Sequence, residues 1–350
     1  MIKLGMYAPV PHVTLKSEAI AESIRLADVP LQDGMVDPAF TLTKDVLTAA
    51  DQNGFDIVLF AERHLGTDLE AWVLASSIAS LTNHIQIMPA IHPGLWYPTL
   101  AAKMGSSLDR IAPGRLALNL ITGWNDVEHT MFGGDLLLGQ VDRYMRAEEY
   151  VQVLRGLWTN DAFSFKGKVY DIKDAKIMLK PASPRTPDIY TATRSEPGLE
   201  MVAKEGDWWF VDYDKNAETP DEIFECVKDS IRDMQERAAK YNREVRFAFN
   251  PFVVCDDTDE KAQKRARKII EEGSDHDDGR LVERRMMPAL RTGFVGSTDT
   301  IAEKMNRYYE AGIEMFLMKF PPTVEEVVKL GWELKSRFAG EQAAEEVSNG

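Results

Sequence analysis

Residues 85–121 read IQIMPAIHPGLWYPTLAAKMGSSLDRIAPGRLALNLI, and three segments of different periodicity lie within them. Ile85–Ile91 and Arg115–Ile121 are short, nearly continuous aliphatic runs, as expected for strands buried on both faces. Between them, TLAAKMGSSLDRIAPG spaces its apolar residues at helical intervals and ends at Gly114, a residue suited to the left-handed position after a helix. Strand, helix and strand in so short a stretch predict a βαβ unit with parallel strands.

The same rhythm extends in both directions. Further strand-like runs are KLGMYA (Lys3–Ala8), DIVLF (Asp56–Phe60), DIYTA (Asp188–Ala192), DWWFVD (Asp207–Asp212), VRFAFNPFVV (Val245–Val254) and EMFLMKF (Glu314–Phe320). Helical patterns intervene. TLTKDVLTAADQNG ends at Gly54, and TPDEIFECVKDSIRDMQERAAKYN starts with Thr219 as N-cap and Pro220 at the first helical position. Eight strands separated by crossovers predict an α/β fold, a (β/α)8 TIM barrel forming one domain over residues 1–338. Two loops are too long for a plain barrel. Gly123–Gln140 and Gly273–Gly296 read as insertions, the second as a mobile lid at 273–296, and residues 339–350 read as a polar, fraying tail.

The 350 residues are 44% hydrophobic and 28% charged, the balance of an ordinary globular protein. A net charge of −15 without a Lys/Arg stripe argues against nucleic acid and against an anionic membrane surface as partners. MIKLGMYAPV lacks the features of a signal peptide, no stretch approaches a membrane span, and Cys226 and Cys255 have no metal-ligand spacing, so reduced thiols in a cytoplasmic protein are expected. The six histidines are scattered, which predicts no metal. A nucleophile elbow and a dinucleotide fingerprint are both missing.

Barrel enzymes build their sites from the loops at the C-terminal ends of the strands. The positions there are Tyr7 and His12, then Ala61, Glu62 and His64, then His92 and Trp96. Asn119, Thr122, Trp124 and Glu128 follow the fourth strand; Thr193, Arg194 and Ser195 the fifth; Asn250 and Phe252 the seventh; and Phe320 the eighth. Arg143 and Tyr144 can offer a cation and a phenol to a phosphate, and Ser195, opening a helix, can add its hydroxyl and backbone N–H groups. Plainer readings stand beside these. His12, His64 and His92 also suit hydrogen bonding in packed loops, His129 beside Glu128 is a weak signal, and Trp208–Trp209 reads as core.

The runs SLDRIAPGRLALNLITGW, NLITGWNDVEHTMFGG and VDRYMRAEEYVQVLRGLWTNDAFSFKGKVYDI resemble the bacterial luciferase-like two-component monooxygenases, near the alkanesulfonate, dimethylsulfone and pyrimidine oxygenase branch. FDIVLFAERH, DIYTATRSEPGLEMVAKEGDWWF and GFVGSTDTIAEKMNRYYEAGIEMFLMKFPP extend the resemblance over nearly the whole chain. It implies FMN, used as FMNH2 with O2 as co-substrate, supplied by a separate NAD(P)H-dependent flavin reductase. It further implies a homodimer or homotetramer. Asn119 is then expected beside the flavin ring, Glu128 at the ring or ribityl chain, and Arg143, Tyr144 and Ser195 at the phosphate. Ala61, Glu62, Thr122 and Arg194 complete the expected cofactor set. Where the family has a glycine-rich GGSS, this chain has Ala192-Thr193-Arg194-Ser195.

His64, His92 and Tyr7 are the expected proton-handling groups, with Arg291 entering from the lid beside Arg284 and Arg285. His12, Trp96, Trp124, Asn250, Phe252 and Phe320 are the expected substrate pocket. Alkanesulfonate oxygenases of the family carry cationic or imidazole groups after the seventh strand, whereas FNPFV stands here. The expectation is therefore cleavage of a C–S or C–N bond in a largely neutral or heteroaromatic molecule such as a sulfone, a pyrimidine or a riboflavin-like ring. A deazaflavin-dependent hydride-transfer enzyme and a non-catalytic flavin-binding subunit are the alternatives.

Overall fold

The computed structural model describes residues 1–9, 31–62, 64, 69–123, 126–132, 139–214, 216–274 and 290–348, with residues 126, 128, 129, 272–274 and 339–348 described through their backbone alone. In chain order the first half runs β1 (Lys3–Tyr7), α1 (Pro38–Gln52), β2 (Ile57–Phe60), α2 (Ala71–Ala79), β3 (Gln86–Ile91), α3 (Pro98–Ile111), β4 (Ala117–Leu120), α4 (Asp126–Met131) and α5 (Gln140–Thr159). A hairpin, β5 (Phe163–Lys166) and β6 (Asp171–Ala175), separates these from β7 (Asp188–Ala192), α6 (Glu196–Glu205), β8 (Trp208–Phe210), α7 (Pro220–Ala239) and β9 (Arg246–Phe249). Then come β10 (Val254–Cys255), α8 (Asp259–Ser274), β11 (Val295–Gly296), α9 (Thr298–Glu310), β12 (Ile313–Met318) and α10 (Val324–Ser348).

Eight of these strands close into a barrel in the order β1-β2-β3-β4-β7-β8-β9-β12, with β12 returning to β1. They are the eight expected from the sequence, and every neighbouring pair is parallel. The fold is a (β/α)8 TIM barrel.

Strand alternation divides the apolar residues into two layers. Ile57, Leu59, Met88, Tyr190, Met315 and Leu317 fill the barrel, together with Trp208. Val58, Phe60, Ile87, Leu118, Ile189 and Phe316 point outward to the helices. At the N-terminal ends of the strands, Tyr190 and Trp208 stack with centroids 5.1 Å apart and planes 9° apart, and the Arg246 guanidinium lies 3.9 Å over the Trp208 ring. That end is plugged by wholly buried aromatic rings. Trp208 is thus core, and Trp209 turns outward, donating from Nε1 to Thr193 O.

The helices begin where their capping residues stand. Thr219 and Glu222 form a reciprocal capping box at α7, with Pro220 at its first position, and Gly54 and Gly114 adopt φ of +87° and +73° just beyond α1 and α3.

Three features differ from the sequence reading. Val245–Val254 is not one strand: the ladder ends at Phe249, Pro251 has no N–H to continue it, and β10 leaves the barrel to pair with β11. The β5–β6 hairpin was not expected. Its turn is held by the buried Glu149 of α5, whose carboxylate accepts backbone N–H groups from Lys168, Val169 and Tyr170 at 2.6–3.0 Å. The segment read as a fraying tail continues α10 as far as Ser348. Of the lid assigned to 273–296, residues 275–289, with Arg284 and Arg285, lie outside the described residues. No described helix is long and apolar enough to cross a membrane.

Candidate active site

The C-terminal mouth of the barrel gathers three polar groups of side chains. The first follows β2 and β3. Glu62 Oε2 accepts the Ala71 N–H at 2.7 Å, which pins the carboxylate to the start of α2. Its Oε1 lies 3.6 Å from His64 Nδ1, an electrostatic contact longer than a hydrogen bond, with both side chains buried. The His64 ring meets His92 edge-on at 4.9 Å and packs 4.7 Å from Phe132 just past α4. His92 sits in a turn, its carbonyl accepting from Leu95 and Trp96. A fixed carboxylate facing Nδ1 favours a proton on that nitrogen.

The second group joins the N-terminal turns of α5 and α6. The Tyr144 hydroxyl and Thr193 Oγ1 are 2.7 Å apart in a buried hydrogen bond, and Thr193 Oγ1 lies 3.3 Å from Ser195 Oγ. Ser195 is the N-cap of α6, accepting from the Gly198 N–H at 3.3 Å. Gly198 has no room for a side chain, since a Cβ there would stand 2.0 Å from Thr193 Oγ1 and 2.7 Å from Tyr144 Cζ. Three hydroxyls and a helix N-terminus with its positive dipole are groups suited to an anion, assembled without a glycine-rich loop. Arg143, half-buried, precedes Tyr144 in α5. Arg194 is exposed and engaged by Asp212, Nη2 to Oδ2 at 2.8 Å.

The third group lies between β1, β9 and β12. Asn250 Nδ2 donates to the Tyr7 hydroxyl at 2.6 Å, and Lys319 Nζ stands 5.4 Å from the centre of the Tyr7 ring. On β4, Asn119 is 5% exposed and shares its strand face with the inward Ala117. Its Oδ1 has no hydrogen-bond partner among the described residues. An orphaned buried amide oxygen is costly to keep unless something else supplies a donor.

The remaining expected residues are more dispersed. Ala61 and Thr122 are half-buried at the ends of β2 and β4. The Trp96 ring packs 5.8 Å from Trp72 of α2. Phe252 is buried in a separate cluster with Val254, Ala262 and Ile269, and the Phe320 ring lies 5.9 Å from Phe55 in the outer layer, so neither joins the barrel-filling cluster. Arg291 donates to Ala217 O at 3.3 Å and, with Arg194, acts electrostatically on Tyr213. Burial, reinforced by Asp212, pushes the Tyr213 phenol up to about 12. His12 and Trp124 lie outside the described residues, as does the side chain of Glu128. Thr193 stood among the strand-end positions without an assigned role, and Asp212 and Lys319 were not among the expected site residues. Lys319 carried a signal, because period-two alternation places it on the face of Met315 and Leu317.

A family model for luciferase-like monooxygenases matches residues 23–315. An FMNH2-dependent dimethylsulfone monooxygenase of Pseudomonas putida is 31% identical over 226 residues, 63% of this chain and 60% of the relative. One of Pseudomonas fluorescens is 27% identical over 286 residues, 75% of this chain and 76% of the relative. The chain thus matches about three fifths to three quarters of the length of these relatives. Among solved structures, a riboflavin lyase crystallised with modified FMN and riboflavin superposes with a TM-score of 0.75 at 14% identity, covering 98% of this chain and 92% of the other. The match to the family model spans the β2–β9 strands and every polar group of the mouth except Tyr7 and Lys319, and the chain belongs to the luciferase-like monooxygenase family.

Proposed function

We propose that the protein is an FMNH2-dependent monooxygenase that oxygenates a small sulfone or a related neutral or heteroaromatic molecule and cleaves its C–S or C–N bond. The observation that carries the reading is the hydroxyl chain Tyr144–Thr193–Ser195 at the start of α6, closed by Gly198. It fits a phosphate monoester, and the orphaned Asn119 Oδ1 fits a ring N–H, so one bound FMN would answer both. The curated relatives are named for FMNH2 and dimethylsulfone, which favours oxidised sulfur over the other substrates.

Reduced flavin, when bound, supplies the two electrons that activate O2. The residues of this chain do the rest. Tyr144, Ser195 and the α6 N-terminus hold the phosphate, with Arg143 as the adjoining cation. Asn119 orients the ring edge. Glu62 fixes His64, and the His64–His92 pair holds or releases a proton at Nε2 when the C–S bond breaks. The apolar barrel interior beneath excludes water. For dimethylsulfone, one oxygen atom of O2 leaves in formaldehyde and the other in water, with methanesulfinate as the second product. A separate NAD(P)H-dependent flavin reductase is the implied partner.

The test is anaerobic titration with FMNH2, then mixing with oxygenated buffer containing dimethylsulfone. Saturable FMNH2 binding and formaldehyde formed in proportion to O2 consumed support the reading. Absence of binding, or reduced flavin oxidised as fast as in free solution without product, overturns it.

A further inference from the structure

Asn250 and Phe252 follow the seventh strand and bring no charge to the mouth. In the folded molecule the neighbouring strand supplies one. Met315 and Leu317 of β12 fill the barrel, and the same alternation brings Lys319 to the mouth, with Nζ 5.4 Å from the centre of the Tyr7 ring. The backbone of Lys319 is fixed on both sides. Its N–H donates to Pro251 O at 2.9 Å, and its carbonyl accepts from Val253 at 2.8 Å.

Two facts make this lysine unusual. In a chain of net charge −15, Lys319 has no ion-pair partner among the described residues, whereas Arg194 at the same mouth is neutralised by Asp212. An ammonium in the mouth of a strongly acidic barrel is a local reversal of sign that attracts anions. Beside it, the Tyr7 oxygen already accepts from Asn250 Nδ2 at 2.6 Å, so its own proton is left to be donated elsewhere. A phenolic O–H and an ammonium thus stand together as two donors, the phenol oriented by Asn250 and the ammonium by a pinned backbone.

We propose that Lys319 and Tyr7, with Asn250 as a positioning residue, form an oxyanion subsite that recognises the oxygen atoms of a sulfinate or sulfonate group. The subsite rests on reading the mouth as the substrate pocket. It extends that reading: the acid released by C–S cleavage, or a sulfonate-bearing substrate, is held by charge where a neutral sulfone is held only by hydrogen bonds. Negative charge growing on the sulfonyl oxygens as the bond breaks would meet donors already in place.

Calorimetric titration with methanesulfinate, methanesulfonate and dimethylsulfone tests this, on the wild type and on the Lys319→Met, Lys319→Arg and Tyr7→Phe variants, each with and without bound FMN. The wild type is expected to bind at least one of the two anions about tenfold or more tighter than the sulfone, the difference a charge-assisted hydrogen bond makes. Lys319→Met removes the preference, Lys319→Arg retains it, and Tyr7→Phe reduces it several-fold. Tighter methanesulfinate marks a product site and tighter methanesulfonate a substrate site; either supports the subsite. Equal affinity for all three molecules in the wild type, or a preference that survives Lys319→Met, overturns it. The two readings fail separately: if FMN does not bind but the anion preference holds, the flavin assignment falls and the subsite stands. Because the Lys319 side chain is exposed, its variants are expected to fold as the wild type does, which their thermal unfolding verifies.

Discussion

Gly198 shows how little freedom the Tyr144–Thr193–Ser195 hydroxyl chain allows. It lies in the first turn of α6 with ordinary helical geometry, so the need for glycine there comes from crowding by Thr193 and Tyr144. Gly198→Ala is therefore expected to push the two hydroxyls apart, weakening FMN binding by tenfold or more and costing about 1–3 kcal/mol of stability. Tyr144→Phe keeps the packing and removes one hydroxyl, for which a loss of roughly fivefold in FMN affinity is expected. Fluorescence titration of FMN and urea denaturation of both variants separate the two effects; equal FMN affinity in all three proteins would place the phosphate elsewhere. Ser195 was legible in the sequence as a helix cap and Thr193 as a strand-end position, but the place of Thr193 at the centre of the hydroxyl chain was not, because Tyr144 is distant in sequence and meets it only when α5 packs on α6.

Among the elements, the strands were the most legible, since alternation and β-branched content act within a few residues. The β9–β10 break was harder to see because Val253–Cys255 is as apolar as the strand before it, and the lost ladder follows from one proline. The β5–β6 hairpin has half-exposed, charged strands whose turn is organised by Glu149 from another element, a dependence no local pattern reports. Asp51 plays a similar part between α1 and β3. It accepts from the backbone N–H groups of Asn83, His84 and Ile85 at 2.7–2.9 Å. Burial alone would raise its pKa, but the three N–H donors outweigh it and hold the carboxyl below the usual aspartate value. Its contribution to stability is thus complete above the unfolded-state pKa of about 4 and declines as the pH falls through the lower folded-state value. Asp51→Ala is expected to cost about 2–4 kcal/mol at pH 7. Chemical denaturation at stepped pH should show the gap between variant and wild type narrowing only in strong acid; a gap that is constant with pH would mean that packing, not charge, gives Asp51 its effect.

At the scale of the whole molecule, β1 closes the barrel by lying between β2 and β12, and it does so with a glycine. A Cβ at Gly5 would meet Ile57 Cγ2 at 2.8 Å, Leu317 Cδ1 at 3.1 Å and Met315 Sδ at 3.2 Å. Gly5→Val is expected to lower stability by about 1–3 kcal/mol in urea denaturation, because the excess volume has no direction in which to relax. An unchanged midpoint would show that the closed interior can expand.

The stacked Tyr190 and Trp208 rings have a further consequence, for kinetics. A barrel filled and stoppered at one end takes its ligands at the opposite mouth. Where two ligands share that mouth, the one seated deeper is expected to bind first and leave last. A second molecule of substrate lodged in the doorway holds everything behind it, and at high concentration turnover should slow instead of levelling off.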